Sequence, residues 1–470
     1  MSTYQETSDN WVREEFATIE LSDARLNRRC QEVADALAQQ VGRPINQACE
    51  DWAATKGAYR LYAHEKVTPD QIVAPHQEQT VERMKQQTLV LAIQDTTFFN
   101  YTHHPATTGL GMIGKKAQKQ RGFAMHTTLA VTPTGLPLGL LTQAFFTRSE
   151  DEPSHTPNEC RKQPIEEKES YRWLKALEQT ITLSPGSVRT VTVCDREADI
   201  YDMFALAEEK KAPLLVRASH DRAVLEAEEK KLWATVARQA SRGVLTLQLP
   251  ATEKRPAHEA VVSVRFARVK LKPPWRPEQK KLPPVTLQAI LVREDNPPPD
   301  AEPVEWLLLT NVPVDTWEDA LEVIGWYCTR WQIEVFHKIL KSGCRVEAAR
   351  LKTATRLQNH LALMCVIAWR LHWLTYLNRC EPEQPCTLAL TQVEWQALYS
   401  RIHRTPTLPE AVPTIRQAVR WIAQLGGFLG RKGDGEPGVT VIWRGWQRLQ
   451  DMADTWFLVK EQSPRFMGNR

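Results

Sequence analysis

Three carboxylates and a group of cations are the residues of this 470-residue chain best placed to do chemistry. Asp95 follows the apolar run Leu89-Val90-Leu91-Ala92-Ile93 and opens Asp95-Thr96-Thr97, while Asp195 follows Val188 to Cys194 and opens Asp195-Arg196-Glu197-Ala198-Asp199. Each run reads as a buried strand. An acid at the end of such a strand is held in place as a metal ligand must be, although it would serve equally well as a turn or helix cap. The third carboxylate, Glu334, lies in Tyr327 to Lys341, a stretch without proline or glycine that predicts one continuous helix. At 100° per residue from Tyr327, Arg330, Glu334, Lys338 and Lys341 fall at about 300°, 340°, 20° and 320°. One carboxylate therefore sits among three cations and a phenol, with Trp331, Val335 and Ile339 on the opposite, core-facing side. A solvated helix face would carry the same mixture; the pairing with two upstream carboxylates is what favours a site. Three carboxylates suit a pair of Mg²⁺ ions, hard cations held by few protein oxygens that leave positions for water and a scissile phosphate.

The elements that must position these groups follow from the rest of the pattern. Residues 10 to about 70 carry helical apolar spacing, with an N-cap suggested by Leu21-Ser22-Asp23 before Ala24-Arg25-Leu26 and Arg25, Arg28, Arg29, Arg43, Lys56 and Arg60 as basic side chains. That region reads either as a small DNA-facing domain or as a helical bundle with a solvated basic face. Gly122 to Thr132 and Leu138 to Phe146 form a hairpin by the turn chemistry of Pro133-Thr134-Gly135-Leu136-Pro137. The polar stretch Arg148 to Pro164 reads as a loop, Glu166 to Leu183 as a helix, and Leu214-Leu215-Val216-Arg217 closes a β-α-β unit. From about 240 to 300 the chain is β-like, with a bulge expected where the apolar phase moves from Val262, Val264 and Phe266 to Val269 and Leu271. Between Lys254 and Lys281 nine Lys or Arg face two Glu, which suits either a phosphate backbone beside Trp275 or a lysine-protected sheet edge. Trp306 opens a further apolar strand, and Leu351 to Leu377 and Trp443 to Val459 read as helices.

Composition bounds the function classes. A chain of this length, with 42% hydrophobic and 25% charged residues, predicts a soluble protein of two to four domains. The amino terminus lacks the apolar stretch of a signal peptide, and the longest apolar run, Leu361 to Trp369, is too short for a membrane span. Nine cysteines with no C-x-x-C spacing predict reduced thiols and a cytoplasmic setting rather than zinc sites or disulfides. No phosphate-binding glycine loop is present, so no nucleotide cofactor is expected. The net charge of +4 leaves a polyanionic partner to be decided by where the cations lie.

In these residues the chain resembles the DDE cut-and-paste transposases of the bacterial insertion-sequence-four family. The resemblance rests on Asp95-Thr96-Thr97; on Gly109-Leu110-Gly111 with Gly122, His126 and Leu129; on Cys194 to Asp199; on Trp306 to Thr310; and on Tyr327, Arg330, Glu334 and Lys341, which reproduce the family's spaced signature. It implies an α/β fold: a ribonuclease-H-like core over about 71–370, with a β insertion over about 220–305. A helical DNA-binding domain over 1–70 and a helical dimerisation domain over 371–470 would flank it. It further implies that Asp95, Asp195 and Glu334 bind two Mg²⁺ ions, which Mn²⁺ can replace. Tyr327, Arg330, Lys338 and Lys341 would hold end phosphates, with Arg217 as a DNA-contacting arginine and Trp306 as a base-stacking tryptophan. The partners would be double-stranded DNA, as inverted-repeat ends and target, and a second copy of the chain. A structure-selective nuclease on the same core and a non-catalytic DNA-binding inhibitor are the competing readings.

Overall fold

The computed structural model describes residues 11–114, 118–148, 159, 162–249, 258–276, 282–298 and 303–466. Its centre is a mixed sheet of β1 (Leu89–Asn100), β2 (Gly111–Ile113), β3 (Gln120–Val131), β4 (Pro137–Phe146), β5 (Arg189–Cys194), β6 (Leu214–Arg217), β7 (Val224–Leu225), β8 (Gly243–Leu249), β9 (His258–Leu271), β10 (Val285–Glu294) and β11 (Glu305–Thr310). The order β4-β3-β1-β5-β6, with the first three antiparallel and β1, β5 and β6 parallel, is the ribonuclease-H-like core. The insertion does not stand apart from it. β11 pairs antiparallel with β6, so β9, β10 and β11 prolong the same sheet.

Alternate residues of the strands feed two large cores and a small third one around Val90, Ala92 and Ala130. On one face Leu91, Ile93, Val191, Val193 and Leu308 join a cluster that also contains Val12, Phe16 and Leu61 near the amino terminus and Ile422 and Trp446 near the other end. The apolar helix Ala354–Cys380 is buried through the middle of this cluster, which is why its nine-residue run is so apolar. On the other face Leu214, Val216, Leu307 and Leu309 pack under the helices Tyr171–Leu183, Tyr201–Glu209 and Leu232–Ala237.

Among the described residues five helices, Trp11–Glu15, Ala24–Gln39, Ile45–Ala48, Trp52–Ala63 and Pro69–Lys85, precede β1. Asp23 caps the second as expected, accepting from the Arg25 and Leu26 amides. A buried polar cluster ties the first helix to the sheet. Arg83 grips Glu15 with both terminal nitrogens at 3.0 Å, and His76 also bonds Glu15. His76 Nε2 accepts the Leu140 amide at 3.0 Å, so its Nδ1 carries the proton it donates to Glu15.

Three expectations are corrected. β9 pairs with β10 without interruption from Glu294↔Val262 to Val285↔Leu271, so there is no bulge. The apolar phase changes because Val262, Val264 and Phe266 face one core while Val269 and Leu271 face the other. β1 runs on to Asn100, because β3 still pairs with it after β5 has ended, so Asp95 lies within a strand and not at its end. The stretch from Tyr327 to Lys341 is not one regular helix but the end of Trp317–Thr329, a tight turn at Arg330 and Trp331, the helix Gln332–Lys338 and a π turn over Ile339–Gly343. Much of the stretch from Arg148 to Pro164, and both ends of the basic run from Lys254 to Lys281, lie outside the described residues. Of that run Trp275 is 83% exposed, and Arg276 pairs with Asp202 at 2.7 Å. The eight described cysteines are all free, and among the described residues no helix is long and apolar enough to cross a membrane.

Candidate active site

The parallel register of β1 and β5 ends on Gln94↔Cys194, so the next residue on each strand is a candidate acid: Asp95 and Asp195 lie side by side. Asp195 also does what a cap does, accepting the Glu197 amide at 2.8 Å at the start of a short 3₁₀ turn. The helix Trp317–Thr329, which begins with a reciprocal capping box of Thr316 with Asp319, leads to the helix Gln332–Lys338 that carries the third acid, Glu334. The tight turn that follows, with Glu334 N–H bonding Trp331 O at 3.1 Å, rotates the chain away from an even 100° per residue. Trp331, expected in the core, is therefore 50% exposed, and Gln332 is buried instead, bonded to His372 Nε2 at 2.9 Å.

The charges of these groups act on one another. Burial pushes the Asp95 carboxyl up to about 7; the Asp195 and Glu334 charges add to the shift and Arg330 opposes it. Glu334 accepts a 2.6 Å bond from Arg330. Burial opposes the charge on Arg330, yet Tyr327, Glu334 and Asp95 outweigh it and hold the guanidinium above its ordinary range. Burial lowers Lys341, whose ammonium lies 5.5 Å over the Phe99 ring, while Glu347 and Asp95 oppose the shift. Asp95, Asp195, Glu334, Arg330 and Lys341 thus form one electrostatic group. Tyr327 is buried with its ring edge-on to Trp306 at 5.2 Å, and Arg330 sits 5.8 Å from the same ring. Arg217 donates to the backbone oxygen of Glu305 at 3.2 Å, next to Trp306. Lys338 is exposed one turn beyond Glu334.

Among the described residues no group of three His, Cys, Asp or Glu converges closely enough to hold a metal ion, and Glu334 is turned to Arg330. The donor set nevertheless fits a hard divalent cation. It consists of carboxylate oxygens, two on adjacent strands, and repulsion between those two disfavours joint ionisation of the pair without a cation.

The sequence reading gave no role to several residues of this neighbourhood. His337 lies 3.6 Å from Asp95 Oδ2, is pushed down to about 3 by burial and by Lys341, and has a buried Nε2 with no partner among the described residues. It was findable, because on the same helical projection it falls about 20° from Arg330. Arg172 left no such trace: it comes from a remote helix, donates to Thr96 Oγ1 at 3.0 Å and lies 3.5 Å from Glu197, so it braces the chain beside both aspartates. Thr96 Oγ1 in turn lies 2.9 Å from Nδ1 of His126, which burial keeps neutral and able to accept. Asp199 is a buried hub, accepting from the Ser219 and His220 amides at 2.7 and 2.8 Å and from Arg222 at 2.6 Å.

The sheet order defines a ribonuclease-H-like core, with Asp95 and Asp195 side by side at its centre. Family models sharpen this: a transposase DNA-binding model matches residues 8–67, a transposase DDE domain 170–370 and a transposase Tn5 dimerisation domain 366–460. The chain belongs to the Tn5-type DDE transposases. Asp195 and Glu334 fall inside the matched DDE segment, whereas Asp95 precedes it.

Proposed function

We propose that this DNA transposase cuts at inverted-repeat ends and joins the freed 3′ hydroxyls to target DNA, with Asp95, Asp195 and Glu334 holding two Mg²⁺ ions that Mn²⁺ can replace. The observation that carries the assignment is the β1–β5 register, which sets Asp95 beside Asp195 while the Glu334 charge registers on Asp95. When bound, the two ions supply an activated attacking oxygen and neutralise charge on the leaving oxygen. The protein's own groups do the rest. Arg330, Lys338 and Lys341 hold phosphates by charge; Tyr327 backs Trp306, which stacks on a base; and Arg217 contacts DNA beside it. His337, neutral near neutral pH, stands 3.6 Å from Asp95 and adds no charge to the site.

Regional roles follow the same reading: residues 1–70 recognise the ends, 71–370 catalyse with the insertion 220–305, and 371–470 pair two copies. Recognition is best probed without truncation, because Val12, Phe16, Leu61 and Tyr62 belong to the shared core and their removal would open it. Lys56→Gln and Arg60→Gln are exposed alternatives.

The test is strand cleavage. Asp95→Asn, Asp195→Asn and Glu334→Gln should each abolish Mg²⁺-dependent cleavage of end DNA while leaving end binding, which rests on the cations, nearly intact. A Glu334→Gln protein that still cleaves would defeat the assignment. A structure-selective nuclease would cleave without preferring an end sequence, and a non-catalytic inhibitor would bind without cleaving.

A further inference from the structure

A second site lies where the amino-terminal helices meet the segment that follows Glu334. A cavity of about 280 Å³ opens there, rimmed by Arg43, Tyr59, Arg345 and Arg350 and floored by apolar side chains that include Ile45 and Met364. That volume is just below the usual range for small-ligand sites. None of the residues lining it is Asp or Glu. The three arginines are exposed, and their guanidinium groups make no hydrogen bond or ion pair among the described residues. His360 at the inner wall is pushed down to about 4 by burial, so it adds no charge near neutral pH.

The rim is held rigidly. Gly42 has φ +75, and a Cβ there would stand 2.5 Å from the Gly343 oxygen, so the turn before Arg43 lies directly on the end of the π turn. Arg345 is itself in the left-handed region, φ 52, which turns the chain back along the cavity mouth. The π turn over Ile339–Gly343 ends the helical segment that carries Glu334. Here it delivers Arg345 and Arg350 to the face carrying Arg43 and Tyr59.

A mouth with three uncompensated cations calls for an anion, and an apolar floor beside an exposed tyrosine ring calls for a flat, poorly hydrated group. We propose that this cavity binds one nucleotide unit, with its phosphate on Arg43, Arg345 and Arg350 and its base on the apolar floor against Tyr59. The unit is either a nucleotide of the bound DNA, in which case the inference rests on the function proposed above, or a free nucleotide. In the first case occupancy would clamp the end-reading helices to the chain just after Glu334.

Binding in EDTA, with no cleavage possible, tests this on the full-length protein. End DNA is titrated at several salt concentrations, and dAMP and inorganic phosphate are titrated separately, against wild type, Arg43→Gln, Arg345→Gln and Ala348→Trp. Ala348 is exposed at the cavity, so the tryptophan fills it without removing charge. If the nucleotide comes from DNA, each arginine variant weakens end binding by about ten- to hundred-fold and lowers the salt slope by roughly 1, whereas Ala348→Trp weakens binding with the slope unchanged. If it is free, dAMP binds saturably and more tightly than phosphate, and Ala348→Trp removes that binding while end DNA is unaffected. The inference is overturned if Ala348→Trp changes neither ligand, or if phosphate binds as well as dAMP to a protein whose end binding ignores the tryptophan. Melting temperatures exclude misfolding. Wild-type cleavage with Mg²⁺ on the same DNA separates this outcome from failure of the proposed function, since the cavity is read by binding alone.

Discussion

Protonating one buried carboxylate should measurably loosen the amino-terminal helix from the sheet. Burial alone would raise the Glu15 pKa, but the Arg83 charge, the His76 ring beside it and the hydrogen bonds from both outweigh it and bring it from 4.5 to about 2. A carboxylate whose folded pKa is depressed stabilises the fold above its unfolded pKa and loses that contribution as pH falls through the folded value. The 2.5-unit difference corresponds to about 3 kcal/mol, fully present above about pH 5 and with about 2 kcal/mol already gone by pH 3. Burial lowers the His76 pKa, and the ring donates to Glu15. The assay is urea unfolding of wild type and Glu15→Gln between pH 7 and pH 3. The variant is less stable at neutral pH, because Arg83 and His76 lose an anionic partner, and the gap between the two proteins should stay constant from pH 7 to about 5. It should then close by about 2 kcal/mol at pH 3. A gap that remains constant to pH 3 would show that Glu15 is not held ionised by Arg83, and the reasoning would fail.

Trp306→Ala should slow a late step that needs a base flipped onto the ring, such as hairpin formation, by about 5- to 150-fold for a stacking contribution of roughly 1–3 kcal/mol, and spare the first nick. Because Trp306 also packs on Tyr327, equal loss of both steps with a lowered melting temperature would assign it to packing instead. Asp199→Asn leaves the Arg222 guanidinium short of its buried anion and should cost about 3–5 kcal/mol in denaturant unfolding; a loss under about 1 kcal/mol would refute the hub. Arg172→Gln removes the brace beside both aspartates, so it should slow strand cleavage at saturating metal with end affinity unchanged, and parallel loss of binding would count against a positioning role.

Much of the core was legible because strand patterning and turn chemistry are local: the hairpin of β3 and β4, the β-α-β unit ending at Arg217 and the cap at Asp23 all lie where their residue types place them. What was not legible depends on partners remote in sequence. The length of β1 past Asp95 is decided by β3, and the apparent slip in β9 by which helices cover each face of the sheet. The rotation of the Glu334 segment depends on a tight turn followed by a π turn, which no spacing rule at 100° per residue can anticipate. Arg172 is 76 residues from the threonine it holds, and only the fold brings them together.

The run of neighbouring strands β1, β5, β6 and β11 has a metric consequence. Asp95, Asp195, Arg217 and Trp306 sit one per strand, and β11 begins at the edge where β5 and β6 end. Strands stand roughly 4.8 Å apart, so the lateral distance from the strand of the first acid to that of the tryptophan is about 14 Å, set by three backbone ladders rather than by a loop, and Trp306 lies two residues along β11 from Leu308, the partner of Arg217. The sheet is in effect a ruler with four marks. Side-chain substitutions can blunt a mark but leave the scale intact, whereas the loss or gain of a strand between β5 and β11 would change the reach by a whole division.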